Sequence, residues 1–150
     1  MKKRNRRRFL GAAAAVAAGS AVPAQAQGAS KRKVHWRDGK KPDNPLFSPA
    51  VSYGDLLFIA GKGAHFEGDI SAHTKHVLDT IQSELTRCGS SMDKVVKCQC
   101  FLTDGKDFAT FNEIYIKYFP KDPPARSTVV VKAIVAPGAL LEIDCFAYVD

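Results

Sequence analysis

Pro123-Pro124-Ala125-Arg126-Ser127-Thr128-Val129-Val130-Val131 is the stretch on which the reading of this chain turns. Two prolines stiffen the approach, an arginine follows, and the β-branched run after it reads as a buried strand. A permanently charged guanidinium therefore stands at the mouth of a strand that is otherwise apolar. It has two uses: an ion pair with a nearby carboxylate of the same chain, or a planar fork presented to the carboxylate of a ligand.

Outward from this stretch the elements follow from periodicity. Downstream, Pro137-Gly138 marks a turn, and Leu140 to Val149 a final strand with Glu142 and Asp144 on the face opposite Leu141, Ile143 and Cys145. Upstream, Phe108, Phe111, Tyr115 and Phe119 form the apolar stripe of a helix that starts near Asp107 and stops at Pro120. Before it, Val95 to Leu102 alternates as a strand, with Val96, Cys98, Cys100 and Leu102 on one face and Val95, Lys97, Gln99 and Phe101 on the other. Ile70, Thr74, Val77, Leu78, Ile81, Leu85 and Cys88 fall on one face of an earlier helix, capped by Asp69 and ended by Gly89. His73 and His76 are expected on the flank of that helix, half-exposed. Further back, Leu56 to Ala60 reads as a buried strand ending at Gly61-Lys62-Gly63, whose glycines signal a close backbone approach. Tyr53-Gly54-Asp55 is a turn, Leu46 to Ser52 an extended segment that Pro49 confines to an edge or a bulge, and Val34-His35-Trp36 a short first strand.

Two helices with one apolar face each, set among strands, predict an α+β layer with both helices on one face of a mixed sheet. The opposite sheet face carries Lys97, Gln99, Glu142 and Asp144 beside Phe101 and Val129, a mixture suited to an oligomer interface that contains a polar pocket.

The first 26 residues read as an export signal. Lys2, Lys3, Arg4, Arg6, Arg7 and Arg8 form a basic head, Phe9 to Ala18 a short apolar core, and Ala24-Gln25-Ala26 a small-x-small cleavage site. Arg6-Arg7-Arg8-Phe9-Leu10 fits the twin-arginine pattern. A periplasmic or secreted location is therefore expected, with no membrane association after cleavage. The whole chain carries +7, but six of its 22 basic residues lie in the signal, which leaves 16 against 15 acidic. A near-neutral mature chain without a basic–aromatic stripe argues against nucleic acid as a partner. Residues 27–43 read as an N-terminal arm with the first strand, and 44–150 as one domain. Cys88, Cys98, Cys100 and Cys145 fall in apolar slots and are expected as core thiols, although an oxidising compartment permits disulfides. C-x-C alone is a weak zinc signal, and no metal is expected.

Pro124-Ala125-Arg126-Ser127-x-Val129, with Leu141-Glu142-Ile143 sixteen residues on from the arginine, resembles the signature of the RidA (YjgF) family. Phe101-Leu102-Thr103-Asp104 and Asp107-Phe108-Ala109-Thr110-x-Asn112-x-x-Tyr115-x-x-Tyr118-Phe119-Pro120 resemble the same family, and the likeness runs from about Asn44 to Tyr148. It implies a chorismate-mutase-like fold, a homotrimer with sites in the clefts between subunits, no cofactor, and hydrolysis of reactive enamines and imines to 2-oxo acids and ammonia. It also implies that Arg126 clamps the carboxylate of an imino or oxo acid and that Glu142 positions water. Thr128 (through its backbone), Gly61 and Asn112 line the site by the same resemblance. The family's pocket tyrosine aligns with Phe47, its usual glutamine with Lys62, and the segment Gly63 to Asp69 is short. Lys62 is thereby expected to add a cation beside the pocket. The alternative of another class is a non-catalytic trimeric module that binds small carboxylates in the same clefts.

Residues 1–26 joined to a reporter that works only outside the cytoplasm should give signal in a bacterial host. Replacing Arg6 and Arg7 together by Lys should abolish it, and unchanged signal would remove the twin-arginine reading.

Overall fold

Six strands and two long helices carry the chain: β1 (Arg32–Val34), β2 (Ala50–Tyr53), β3 (Leu56–Gly63), α1 (Ile70–Arg87), β4 (Val95–Leu102), α2 (Phe108–Tyr118), β5 (Ala125–Val130) and β6 (Leu141–Tyr148). The structure is a computed structural model and describes residues 31–150; the expected signal peptide lies outside the described residues. The strands form one sheet in the order β1-β2-β3-β6-β4-β5. All neighbours are antiparallel except β4 and β5, which run parallel and are joined across α2 as a parallel pair requires. The last strand, β6, inserts between β3 and β4, so β5 is left as an outermost strand.

Both helices pack on one face of this sheet, as the pattern of their apolar residues predicts. Asp69 caps α1 by accepting from the Ala72 N–H at 2.8 Å. Gly89 ends it at φ +83°, with the Gly89 N–H on Thr86 O and the Ser90 N–H on Leu85 O, the paired bonds of a Schellman ending. The buried layer joins Val77, Leu78, Ile81 and Leu85 of α1 to Phe111 and Tyr115 of α2. Leu57, Ile59, Cys98, Cys100, Leu141, Ile143 and Cys145 meet them from the sheet. All four cysteines are buried free thiols.

Several boundaries and faces differ from expectation, for identifiable reasons. The first strand is Arg32–Val34, two residues earlier than Val34–Trp36; its paired register ends with Val34 opposite Val51, the His35 N–H still reaches Ala50 O at 2.9 Å, and the chain turns where the Gly39 N–H meets Trp36 O. Within Leu46–Ser52 the strand starts only at Ala50; Pro49 precedes it, and β2 is not an edge because β1 covers it. In β4 a register shift between Val95 and Lys97 leaves Val96 as the extra residue, so Val95 is buried and Val96 exposed, the reverse of strict alternation. A second shift between Ile59 and Lys62, against β6, lets β3 run on past Ala60 to Gly63. Continued alternation from Ile59 would turn Gly61 inward and Lys62 outward. The bulge reverses them.

Lys62 is therefore buried against α1 at 6% exposure. It lies near Glu84, 7% exposed, which binds Arg87 at 2.5 Å and Arg37 at 3.0 Å. Burial pulls the Lys62 pKa down and outweighs the opposing pull of Glu84. Burial alone would raise the Glu84 pKa, but the Arg87 hydrogen bond with the charges of Lys62, Arg87 and Arg37 holds it below the ordinary value of 4.5. A carboxylate depressed in the folded state stabilises the protein above its unfolded pKa, and that contribution is lost as pH falls through the folded value. Glu84→Gln should lower stability near neutral pH by about 2 kcal/mol. The deficit should shrink on acidification below pH 4.5, as followed by urea melts across pH.

Candidate active site

Arg126 and Glu142, both expected at one site, stand on different faces of the sheet. In the β4–β5 register Arg126 stands opposite Cys98 and Thr128 opposite Cys100. Cys98 and Cys100 point into the helical layer, so Arg126 and Thr128 point to that side too. There the Arg126 guanidinium lies over three rings of α2: 4.6 Å from the Tyr115 centroid, 5.4 Å from Phe111 and 5.8 Å from Phe108. Among the described residues it makes no ion pair. The structural ion pair considered from the sequence is thus replaced by an aromatic stack, which orients a cation without neutralising it. Phe108 explains its exposure by this contact: it covers the arginine rather than the core.

Arg126 opens into a concavity of about 460 Å³ lined with Asn112, Tyr115, Ile116, Pro123 and Pro124. Asn112, predicted for the site, is therefore beside the arginine. Thr128 is one residue pair further along the strand; among the described residues its buried hydroxyl and that of Tyr115 have no hydrogen-bond partner, and each lies beside a thiol, Cys100 and Cys98 respectively. Burial pushes the Cys100 pKa up to about 12 and raises that of Cys98, which disfavours the thiolate at both.

Glu142 stands on the opposite, open face, between Leu141 and Ile143, which are fully buried. Gly61 is what admits it. A Cβ built on Gly61 would overlap the Glu142 carboxylate and sit 2.8 Å from its Cδ, so the predicted close approach is to this side chain. The same face carries Gln99 with its amide on Asp144 (3.1 and 3.2 Å) and Lys97 on Ser127 (2.8 Å). It also shows exposed Leu56, Phe58, Val129 and Tyr148.

The other two predicted residues fall elsewhere. Lys62 faces α1 rather than the Glu142 pocket, which corrects the expected cation beside the pocket, and the bulge in β3 is the reason. Phe47 is 69% exposed on the loop before β2, beside Trp36 and Pro45, and lines a different concavity from that of Arg126. His73, expected half-exposed, is buried at 1% exposure because both its ring nitrogens find partners. Sequence reasoning missed the aromatic seat of Arg126. Phe108, Phe111 and Tyr115 were legible only as a helical stripe, and nothing in their spacing reveals a cation from another element. Among the described residues no group of three or more His, Cys, Asp or Glu converges as a metal site. A larger groove of about 800 Å³ runs along α1 and α2 past Lys75, Lys117 and Tyr118, and neither Arg126 nor Glu142 lines it.

Gly61→Ala should displace the Glu142 carboxylate, because the flexible end of that side chain yields more easily than backbone. The melting temperature should drop by the equivalent of about 1 kcal/mol or less, and a crystal structure of the variant should show the carboxylate rotated away.

The family model described as Endoribonuclease L-PSP matches residues 41–149. A RutC family protein of Pyrococcus horikoshii is 36% identical over 125 residues, which cover 79% of this chain and 98% of that protein. The 3-aminoacrylate deaminase RutC of Acinetobacter baylyi is 34% identical over 119 residues, covering 75% and 94%. Among crystal structures, a YjgF-family member from Mycobacterium tuberculosis aligns with a TM-score of 0.69 at 32% identity, over 79% of this chain and all of that one. With nearly the whole described sheet and both helices inside the matched span, the chain belongs to the RidA (YjgF) family, the family described as Endoribonuclease L-PSP.

Proposed function

We propose that this protein hydrolyses reactive enamines and imines of the 2-aminoacrylate type to 2-oxo acids and ammonia, in a site shared between copies of the chain. The observation that carries the reading is Arg126: a guanidinium seated on three rings, unpaired among the described residues, and open to a concavity beside Asn112. Such a group is preorganised for a ligand carboxylate, which it can hold by two parallel hydrogen bonds. A relative at 34% identity is named for deamination of an enamine acid, which supports the same substrate class.

Hydrolysis of an imine asks little of a protein beyond orientation and proton transfer. An enamine acid tautomerises to the 2-imino acid; water then adds its oxygen to the C=N carbon as the nitrogen takes up a proton. In the resulting carbinolamine the hydroxyl proton passes to the nitrogen, the C–N bond breaks as the C=O bond forms, and ammonia leaves. Glu142 is suited to hold that water and relay its proton. In one chain, however, the sheet separates Glu142 from Arg126, so both can meet one substrate only if a second copy supplies the missing half. The half-apolar open face, with Phe58, Val129 and Tyr148 exposed around polar groups, suits such a contact. A closed homotrimer with three shared clefts is the assembly proposed.

Arg126→Ala should cost about 2–5 kcal/mol in kcat/KM for freshly generated 2-aminoacrylate. Glu142→Gln should lose turnover while still binding a 2-oxo acid by calorimetry. Unfolded and remixed, these two inactive variants should regain part of the activity, because some mixed clefts combine an intact arginine with an intact glutamate. No recovery on mixing would place both residues in one chain's site, and wild-type turnover no faster than that of Arg126→Ala would leave only a carboxylate-binding module.

A further inference from the structure

His73 is buried in α1 with both ring nitrogens engaged. Nε2 lies 2.9 Å from the Phe66 carbonyl oxygen, to which it donates, and Nδ1 accepts from the Leu140 N–H at 3.3 Å. This pair of partners requires the neutral ring with its proton on Nε2. What distinguishes it from a core histidine that is merely satisfied is where the partners lie. Phe66 belongs to the loop that follows β3, the strand of Gly61. Leu140 immediately precedes β6, two residues before Glu142.

The Leu140 peptide is held from both sides. Its N–H goes to His73, and its carbonyl accepts from the Thr103 N–H at 3.0 Å and the Thr103 hydroxyl at 3.1 Å. The loop after β3 is moulded on the same imidazole: the Phe66 ring meets it edge-on with centroids 4.8 Å apart, and a Cβ on Gly68 would stand 3.3 Å from its Cδ2. The cleft of about 560 Å³ between the two loops, lined by Phe66, Glu67, Pro137 and Gly138 among others, thus has both walls tied to one side chain.

We infer that His73 is a positioning residue: it fastens the loops that follow β3 and precede β6, and through Leu140 it sets where β6 presents Glu142 beside Gly61. The inference rests on the role proposed above for Glu142. It makes a kinetic distinction that general destabilisation does not. The partners of His73 are Phe66 and Leu140, whereas the carboxylate clamp is seated on the rings of α2, so loosening Leu140 should lower kcat and leave KM in place.

In the full chain, His73→Leu should reduce kcat for 2-aminoacrylate by about 10- to 100-fold, the scale of an ångström of misplacement, with KM within about twofold. His73→Gln, which restores one donor and one acceptor, should recover most of that loss. A folded His73→Leu variant with wild-type kcat, or one that raises KM at constant kcat, overturns the inference. Should the leucine variant not fold, His73→Gln and His73→Asn carry the test: kcat and hydrogen-exchange protection of the Leu140 amide must change together, and a kcat indifferent to that protection overturns the role. Glu142→Gln is assayed alongside. Wild-type kcat there removes the proposed function and the inference with it, whereas loss there with no loss in folded His73→Leu removes only the positioning role.

Discussion

The alternation of side chains along a strand governs this molecule more than any single contact. Strand β6 is paired on both sides, and its inward residues Leu141, Ile143, Cys145 and Ala147 are all fully buried. Its register is therefore fixed by four side chains at once, because a slip of one residue would drive Glu142 and Asp144 into the apolar layer. The same rule, applied to β5, commits Arg126 to the helical side. One backbone period thus keeps apart two groups that a shared chemistry would unite, and the proposed assembly of copies is the answer to that constraint.

Two bulges are where the rule is locally suspended, and they lie at informative places. The bulge in β3 gives Gly61 to the open face and Lys62 to the helices. A glycine there leaves room for a carboxylate, while the lysine becomes part of the charged cluster of Glu84, Arg37 and Arg87 that fastens the segment after β1 to the end of α1. The Arg87 guanidinium adds bonds to the Trp36 and His35 carbonyls. Burying charge in this way is favourable only because Glu84 is hydrogen-bonded by two of the cations.

The helices, their caps and the layer they bury were legible in the sequence because a 3.6-residue apolar stripe has no other economical use. Asp69 and Gly89 marked α1 by local chemistry alone. The family motifs around Arg126 and Glu142 were equally legible, and the close approach at Gly61 followed from its lack of a Cβ. What was not legible depended on counting through a bulge. Nothing in Ile59-Ala60-Gly61-Lys62-Gly63 or Val95-Val96-Lys97 says where the extra residue falls, so alternation puts Val95 and Val96 on the wrong faces and the resemblance alone cannot tell which side Lys62 takes. The seat of Arg126 was hidden for another reason. Its rings come from α2 and its cation from β5, and only the parallel crossover between β4 and β5 brings them together. His73 was misread because a histidine beside an apolar stripe gives no sign of two backbone groups waiting for it.

The seat of Arg126 also decides what kind of reader it is. A guanidinium held among three aromatic rings keeps its charge and its free N–H groups for an anion on its open side. Under the proposed function such a group would read the carboxylate that all 2-imino and 2-oxo acids have in common. Discrimination between one acid and another would then belong to the surroundings of Glu142 on the far side of the sheet. On that reading recognition divides into a generic half and a selective half, each free to vary without disturbing the other.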